Sequence, residues 1–150
     1  MAVEGGAPIT VRNDNAWSSA ITADGSILYY VVPLQNVTGV LDYEIRVARL
    51  ESGPSKLLAR IAGELVPDWQ VVQPVLSHDG KWLALLLNDG LGTDVWVLST
   101  SDGKQRRVTD FGKHRVFIAR RLSWSSDDKF IFAAVGTGDA DIVQLDGLLP

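Results

Sequence analysis

Two histidines, His78 and His114, and three acids recurring at matching points, Glu44, Asp94 and Asp141, are the side chains best suited by type to chemistry. A nucleophilic serine would need one of those histidines within hydrogen-bond reach, itself held by a carboxylate. The serines of this chain sit instead at turns, as in "LSHDGK" and "WSSDDK", where local hydrogen bonding accounts for them. A histidine-based metal site needs ligands clustered at short spacing, and two isolated histidines do not supply one. The recurring acids could line a cation site, but capping a strand or pairing with a nearby turn explains them better. Asp89, Asp139 and Asp141 lie in or beside spacer loops that match no calcium-loop pattern. The expectation is a protein that is not an enzyme and that holds neither cofactor nor metal.

Tryptophan points to a different role. Trp82, Trp96 and Trp124 fall within apolar runs, where packing explains them, whereas Trp17 and Trp69 precede such runs. Trp69 with Gln70, and Lys113, His114 and Arg115 in an equivalent loop, compose an aromatic and basic rim suited to a protein, a peptide or a small acidic ligand.

Composition narrows the partners further. At 150 residues, 46% hydrophobic and 21% charged, the chain has the size and balance of one globular domain with a real core. A net charge of -4 offers no field to attract phosphate backbones or anionic lipid, so neither nucleic acid nor membrane is an expected partner. The absence of cysteine excludes disulfides, thiolate metal sites and a cysteine nucleophile together. The longest uncharged apolar run, "WLALLL", is far short of the roughly 20 residues that span a bilayer. The opening "MAVEGGAPITVRND" has no basic region followed by an apolar run, which implies a cytoplasmic location if the chain is complete.

The elements that must hold these residues are short. "SILYYVV", "EIRVARL", "KWLALLL", "DVWVLS", "RVFIARRLSW" and "KFIFAAV" are rich in β-branched and aromatic residues and bounded by Gly, Asp, Asn or Ser, the pattern of strands joined by tight turns. The pair Asp-Gly occurs at 24–25, 79–80, 89–90, 102–103 and 146–147 and predicts two-residue hairpin turns, whose positive φ angles it tolerates. The segment from Pro54 to Leu65 carries Leu57, Leu58 and Ile61 at helical spacing, yet lies where the repeat described next calls for a strand.

That repeat is anchored on Asp24, Asp79 and Asp127, separated by 55 and 48 residues. Each follows a short run ending in Thr or Ser and precedes a long apolar strand. A third strand led by an acid comes next, with Glu44-Ile45, Asp94-Val95 and Asp141-Ile142 in register. A fourth strand, "KLLARIA" and then "KQRRVTD", closes the first two units. The amino-terminal "APITVRN" carries Ile9-Thr10, the same apolar–Thr pair as Val108-Thr109. Four-stranded units of this length are the mark of β-propeller blades.

The order "LSHDGKWLALLL…GTDVWVLSTSDGKQRRVTDFG" resembles the TolB-like propeller repeat, roughly SPDGKxIAF, an acid with IYVM, a DG turn and an LT pair. Ser77, Asp79, Gly80, Lys81, Asp94, Asp102, Gly103, Val108 and Thr109 occupy its marked positions. His78 and Ser126 stand where that family has proline, Asp128 replaces the turn glycine, and "PLQNVTGVLDY" lengthens the first spacer. The resemblance implies an all-β chain of three blades at 17–63, 69–110 and 116–146. The amino-terminal strand 7–13 would complete the last blade. Propellers of this family typically have six blades, so it also implies a homodimer closing a six-bladed ring, a non-enzymatic module for protein or ligand binding. The alternative it carries is a propeller piece of a larger sensor, regulator or prolyl-oligopeptidase-like hydrolase. Such propellers shield the hydrolase active site, but the nucleophile-elbow motif GxSxG does not occur here.

Overall fold

The computed structural model describes residues 7–35, 41–50, 53–62, 66–67, 73–88, 92–111 and 116–137. All regular structure among them is β, and every pairing is antiparallel. The first sheet holds β1 (Ser18–Ile21), β2 (Ile27–Gln35), β3 (Leu41–Arg49) and β4 (Lys56–Ile61) in sequence order. Helical spacing in "KLLARI" thus gives way to a strand, because its pairing with β3 buries Ala59 and Ile61 on one face.

In the second sheet β7 (Trp82–Asn88), β8 (Thr93–Ser99) and β9 (Gln105–Arg107) follow one another. Two short strands, β5 (Val66–Pro67) and β6 (Val75–Leu76), share the other edge of β7 at its opposite ends. This pairing begins ahead of residue 69, where the sequence pattern sets the second unit. The third sheet comprises β10 (Val116–Trp124) and β11 (Ile131–Thr137) among the described residues. Residues 7–13 form no strand within the single chain.

The sheets stack face to face. Tyr29, Val31, Tyr43, Ile45, Ala59 and Ile61 of the first sheet interlock with Leu83, Leu85, Leu87 and Leu98 of the second. The opposite face of β7 and β8, carrying Ala84, Leu86 and Val95, meets Val116, Ile118 and Leu122 of β10. A middle sheet buried on both faces has no reason to alternate polar with apolar, which accounts for the unbroken "LALLL". On the far side of the first sheet, Tyr30, Val32 and Ala48 are buried as well. The fully buried Tyr30 donates its hydroxyl to Asp14 at 2.5 Å, and burial raises its pKa.

Trp96 packs against the first core and Trp124 against the second, as their places in strands suggest. Trp82 does not join either core. It is 36% exposed and borders a groove between the second and third sheets.

Candidate functional site

Three turns share one hydrogen-bond pattern. In each, a hydroxyl donates to the carboxylate two residues on: Thr22 to Asp24 at 2.5 Å, Ser77 to Asp79 at 2.8 Å and Ser125 to Asp127 at 2.7 Å. The same hydroxyl accepts the amide five residues on, from Ile27, Trp82 and Phe130, each at 3.0 Å. The carboxylate in turn accepts the amide of Ser26, Lys81 or Lys129. These bonds pull the carboxyls of Asp24 and Asp79 down to about 2, led by the Thr22 hydroxyl in one and the Lys81 ammonium in the other.

The turns are not the two-residue hairpins that Asp-Gly suggests. Backbone bonds close each loop across four residues, as between Thr22 and Ile27 or Ser77 and Trp82. Only the glycine adopts a positive φ, +72° at Gly25 and +73° at Gly80, while the aspartate is spent on the side-chain bonds. The Asp102-Gly103 turn spans Ser99 to Lys104 in the same way. The Asp89-Gly90 and Asp146-Gly147 pairs lie outside the described residues.

In the third turn Asp128 takes the glycine's place with φ +56°, a left-handed conformation that aspartate tolerates better than most residues. Its carboxylate reaches across to the second turn. One oxygen accepts the His78 amide at 2.8 Å and lies 2.9 Å from His78 Nδ1, and the other accepts the Asp79 amide at 2.8 Å. These bonds hold the Asp128 carboxyl below its usual range against the opposing effect of desolvation. The departure from the repeat is thus a tie between sheets. Asp128→Ala is expected to unprotect the His78 and Asp79 amides in hydrogen exchange while leaving the Gly25 amide, bonded to Thr22 within its own turn, unchanged. Equal loss at all three would show general loosening instead.

Other ties join neighbouring sheets, one between fourth strands and one between first strands. Gln105 Nε2 donates to the Arg60 carbonyl at 3.2 Å, and Trp124 Nε1 to the Val75 carbonyl at 2.9 Å. Gly103 sits against the Leu58 carbonyl, where an added Cβ would lie 2.1 Å from the oxygen.

The recurring acids hold strands together. Buried Glu44 on β3 accepts from Arg46 at 2.8 Å and from Arg60, opposite it on β4, at 2.7 Å. The hydrogen bond from Arg60 is the leading cause of its lowered pKa. Buried Asp94 on β8 pairs with Arg107 of β9, accepts from Thr109 Oγ1 at 2.7 Å and from the Phe111 amide at 3.2 Å. Thr109 also accepts the Val95 amide at 2.9 Å, so acid and hydroxyl lock the outer strand. Asp141 lies outside the described residues. No cluster of three or more metal-ligating side chains occurs among the described residues.

Trp69, Gln70, Lys113, His114 and Arg115, the expected rim, all lie outside the described residues. One concavity that the described residues form is the groove beside Trp82, with a volume of about 540 Å³; a smaller one of about 250 Å³ lies between the first and second of the three turns. The groove's walls are Val95, Val97 and Val108 on one side and Ile131, Ala133 and Val135 on the other, with Arg106, Asp128 and Lys129 also on its lining. Neither its aromatic border nor the Asp128 tie was legible as a site. The one signal was an aspartate where the repeat wants glycine.

No family model matches this chain, and no curated protein does. Solved structures do. An AtxE2 isopeptidase variant with astexin3-dC4 bound is 18% identical over 73% of this chain and 19% of its own, with a TM-score of 0.56. The Pyrococcus horikoshii acylaminoacyl peptidase, in an orthorhombic crystal form, is 20% identical over 88% of this chain and 19% of its own, with the same TM-score of 0.56. An acylaminoacyl peptidase in complex with Z-Gly-Gly-Phe-chloromethyl ketone is 21% identical over 89% of this chain and 20% of its own, at 0.55. The fold is shared. The chain spans about a fifth of the length of these peptidases, and its antiparallel sheets, the first of four strands in sequence order, suit a propeller-like fragment.

Proposed function

We propose that the chain builds part of the wall of a β-propeller of the kind found in prolyl-oligopeptidase-like hydrolases, supplying shape and contacts and no catalytic group. The observation that carries this reading is β11. Its sequence, "IFAAV", is apolar on both faces like the middle sheet's β7, yet Phe132 is 60% exposed on the face turned from the second sheet. A strand built that way belongs to a stack that continues. The likeness in fold to peptidases favours this wall over that of a sensor or regulator.

Chemistry on the described residues gives no reason to add an active site to the wall. The Ser77 hydroxyl is committed to Asp79 and the Trp82 amide, and the His78 ring to Asp128. A hydrolase would draw its nucleophile from other polypeptide, on the same or another chain. Tagging the chain at its own locus and treating the native preparation with a fluorophosphonate probe tests this. The expected result is a labelled serine hydrolase fused to or stoichiometric with the tagged chain, and no label on the 150 residues alone. An unlabelled native preparation would overturn the peptidase reading.

A further inference from the structure

We propose that the cleft between the first and second turns is a docking site for a carboxylate carried by another polypeptide, held by the backbone amides of Ala23 and Asp24. The inference rests on the likeness of the three turns and not on the peptidase reading.

The structure itself contains the pattern for such a site. At the junction of the second and third turns, the Asp128 carboxylate gives one oxygen to the His78 amide and the other to the Asp79 amide, each at 2.8 Å. Two consecutive amides thus hold one carboxylate, as successive backbone N–H groups do in anion-binding concavities. Ala23 and Asp24 are the counterparts of His78 and Asp79, because Thr22 and Ser77 make the same bonds: to the acid two residues on and from the amide five residues on. The closing backbone bonds match as well, Thr22 to Ile27 and Gly25 to Thr22 against Ser77 to Trp82 and Gly80 to Ser77. Like geometry gives the first turn the same pair of donors. Among the described residues the Ala23 amide meets no acceptor, and the Asp24 amide leans only toward its own carboxylate.

What differs is the residue across the junction. The third turn presents Asp128 to the second, and the second presents Gly80 to the first. Gly80 has φ +73° against +56° at Asp128, so the two backbones are alike and the carboxylate alone is missing. A Cβ at Gly80 would meet nothing within 4 Å. That room belongs to the cleft of about 250 Å³, whose lining includes Ala23, Asp24, Leu76, His78 and Gly80.

Charge decides the source of the carboxylate. Beside the Asp128 junction, the Asp79 charge is offset by Lys81 at 2.9 Å. At the first turn Ser26 stands in the place of Lys81, and Asp24 is met by hydroxyls alone. With a net charge of -4, the chain draws no free anion to this spot. A carboxylate tethered to a polypeptide arrives at high effective concentration once neighbouring contacts form. Partly buried Ile27 and Leu76 on the cleft wall and the exposed ring of His78 supply surfaces for those contacts.

The test follows backbone amides of the isotope-labelled chain by NMR. Adding the peptide acetyl-Leu-Asp-Leu-amide should move the Ala23 and Asp24 amide protons downfield and leave those of His78 and Asp79 in place. The same peptide with Asn for Asp should bind about tenfold more weakly, because only a charged acceptor makes charge-assisted bonds to both amides. Sodium acetate at equal concentration should also move them less. Gly80→Asp, at a φ close to the one aspartate adopts at Asp128, should supply the carboxylate from within. Its Ala23 and Asp24 amides should become as protected from exchange as those of His78 and Asp79, and the peptide should no longer move them. Unmoved Ala23 and Asp24 amides in the unaltered chain, movement as large with the Asn peptide or with acetate, or a response that survives Gly80→Asp would each overturn the proposal. The fluorophosphonate result bears on none of these.

Discussion

Gly103→Ala should lower the melting temperature by roughly 10 °C, the largest effect expected of a methyl group added at Gly25, Gly53, Gly80 or Gly103. Two costs add. At φ +71° an L side chain is strained by about 1–2 kcal/mol. The new Cβ would also stand 2.1 Å from the Leu58 oxygen and 3.1 Å from its carbonyl carbon, both backbone atoms of β4 that cannot rotate away. The turn must lift off the first sheet, which loosens the Gln105–Arg60 tie beside it. A combined cost of about 3–4 kcal/mol, at roughly 2–4 °C per kcal/mol for a chain of this size, gives the stated drop. Gly25→Ala is the control. Its φ of +72° is nearly the same, but a Cβ there meets nothing within 4 Å, so only the conformational cost of about 1–2 kcal/mol applies. Equal losses from the two variants would mean that the second sheet's turn does not press on β4.

Asp94→Ala should cost about 3 kcal/mol, read as a lowered denaturant midpoint with an unchanged slope. Its carboxylate is buried and takes bonds from the Arg107 guanidinium, the Thr109 hydroxyl and the Phe111 amide, so its loss strands several donors at once. The figure sits at the low end for a broken buried pair because the Arg107 side chain is 32% exposed and can turn to water. Thr109→Val removes the hydroxyl alone and should cost about 1 kcal/mol. Glu44→Ala should cost less than Asp94→Ala, since Arg46 and Arg60 both reach solvent and recover hydration. If it costs more, the arginine pair and not the carboxylate organises the first sheet's edge.

What could be read in advance followed from how far each interaction reaches along the chain. Ser77 bonds Asp79 two residues away and Trp82 five away, so the turn leaves its mark in a six-residue string. The acid at the head of a third strand and the Thr closing the fourth are separated by 15 residues in the second unit, still within one repeat. The turn length was misjudged because Asp-Gly serves loops of two residues and of four. The hydroxyl two residues before the aspartate was the distinguishing signal. Ties between sheets were illegible for a different reason. His78 to Asp128 and Gln105 to Arg60 join residues 50 and 45 apart, through an amide or a carbonyl that every residue possesses. Trp82 was expected to pack because it lies in a strand. It starts β7 at the groove edge, where the neighbouring sheet leaves its ring uncovered.

Asp128 has a meaning beyond the bonds it makes. Three turns built alike on three similar hairpins create a sorting problem during folding, because any hairpin could settle beside any other with its own turn satisfied. The glycines at Gly25 and Gly80 carry no side chain to distinguish one neighbour from another. The third turn alone of the three carries an acid at that point, and besides the His78 and Asp79 amides it meets the His78 ring at 2.9 Å, a side chain that the first turn replaces with Ala23. That single carboxylate acts as an address label, recording chain order in the stacking of units otherwise nearly interchangeable.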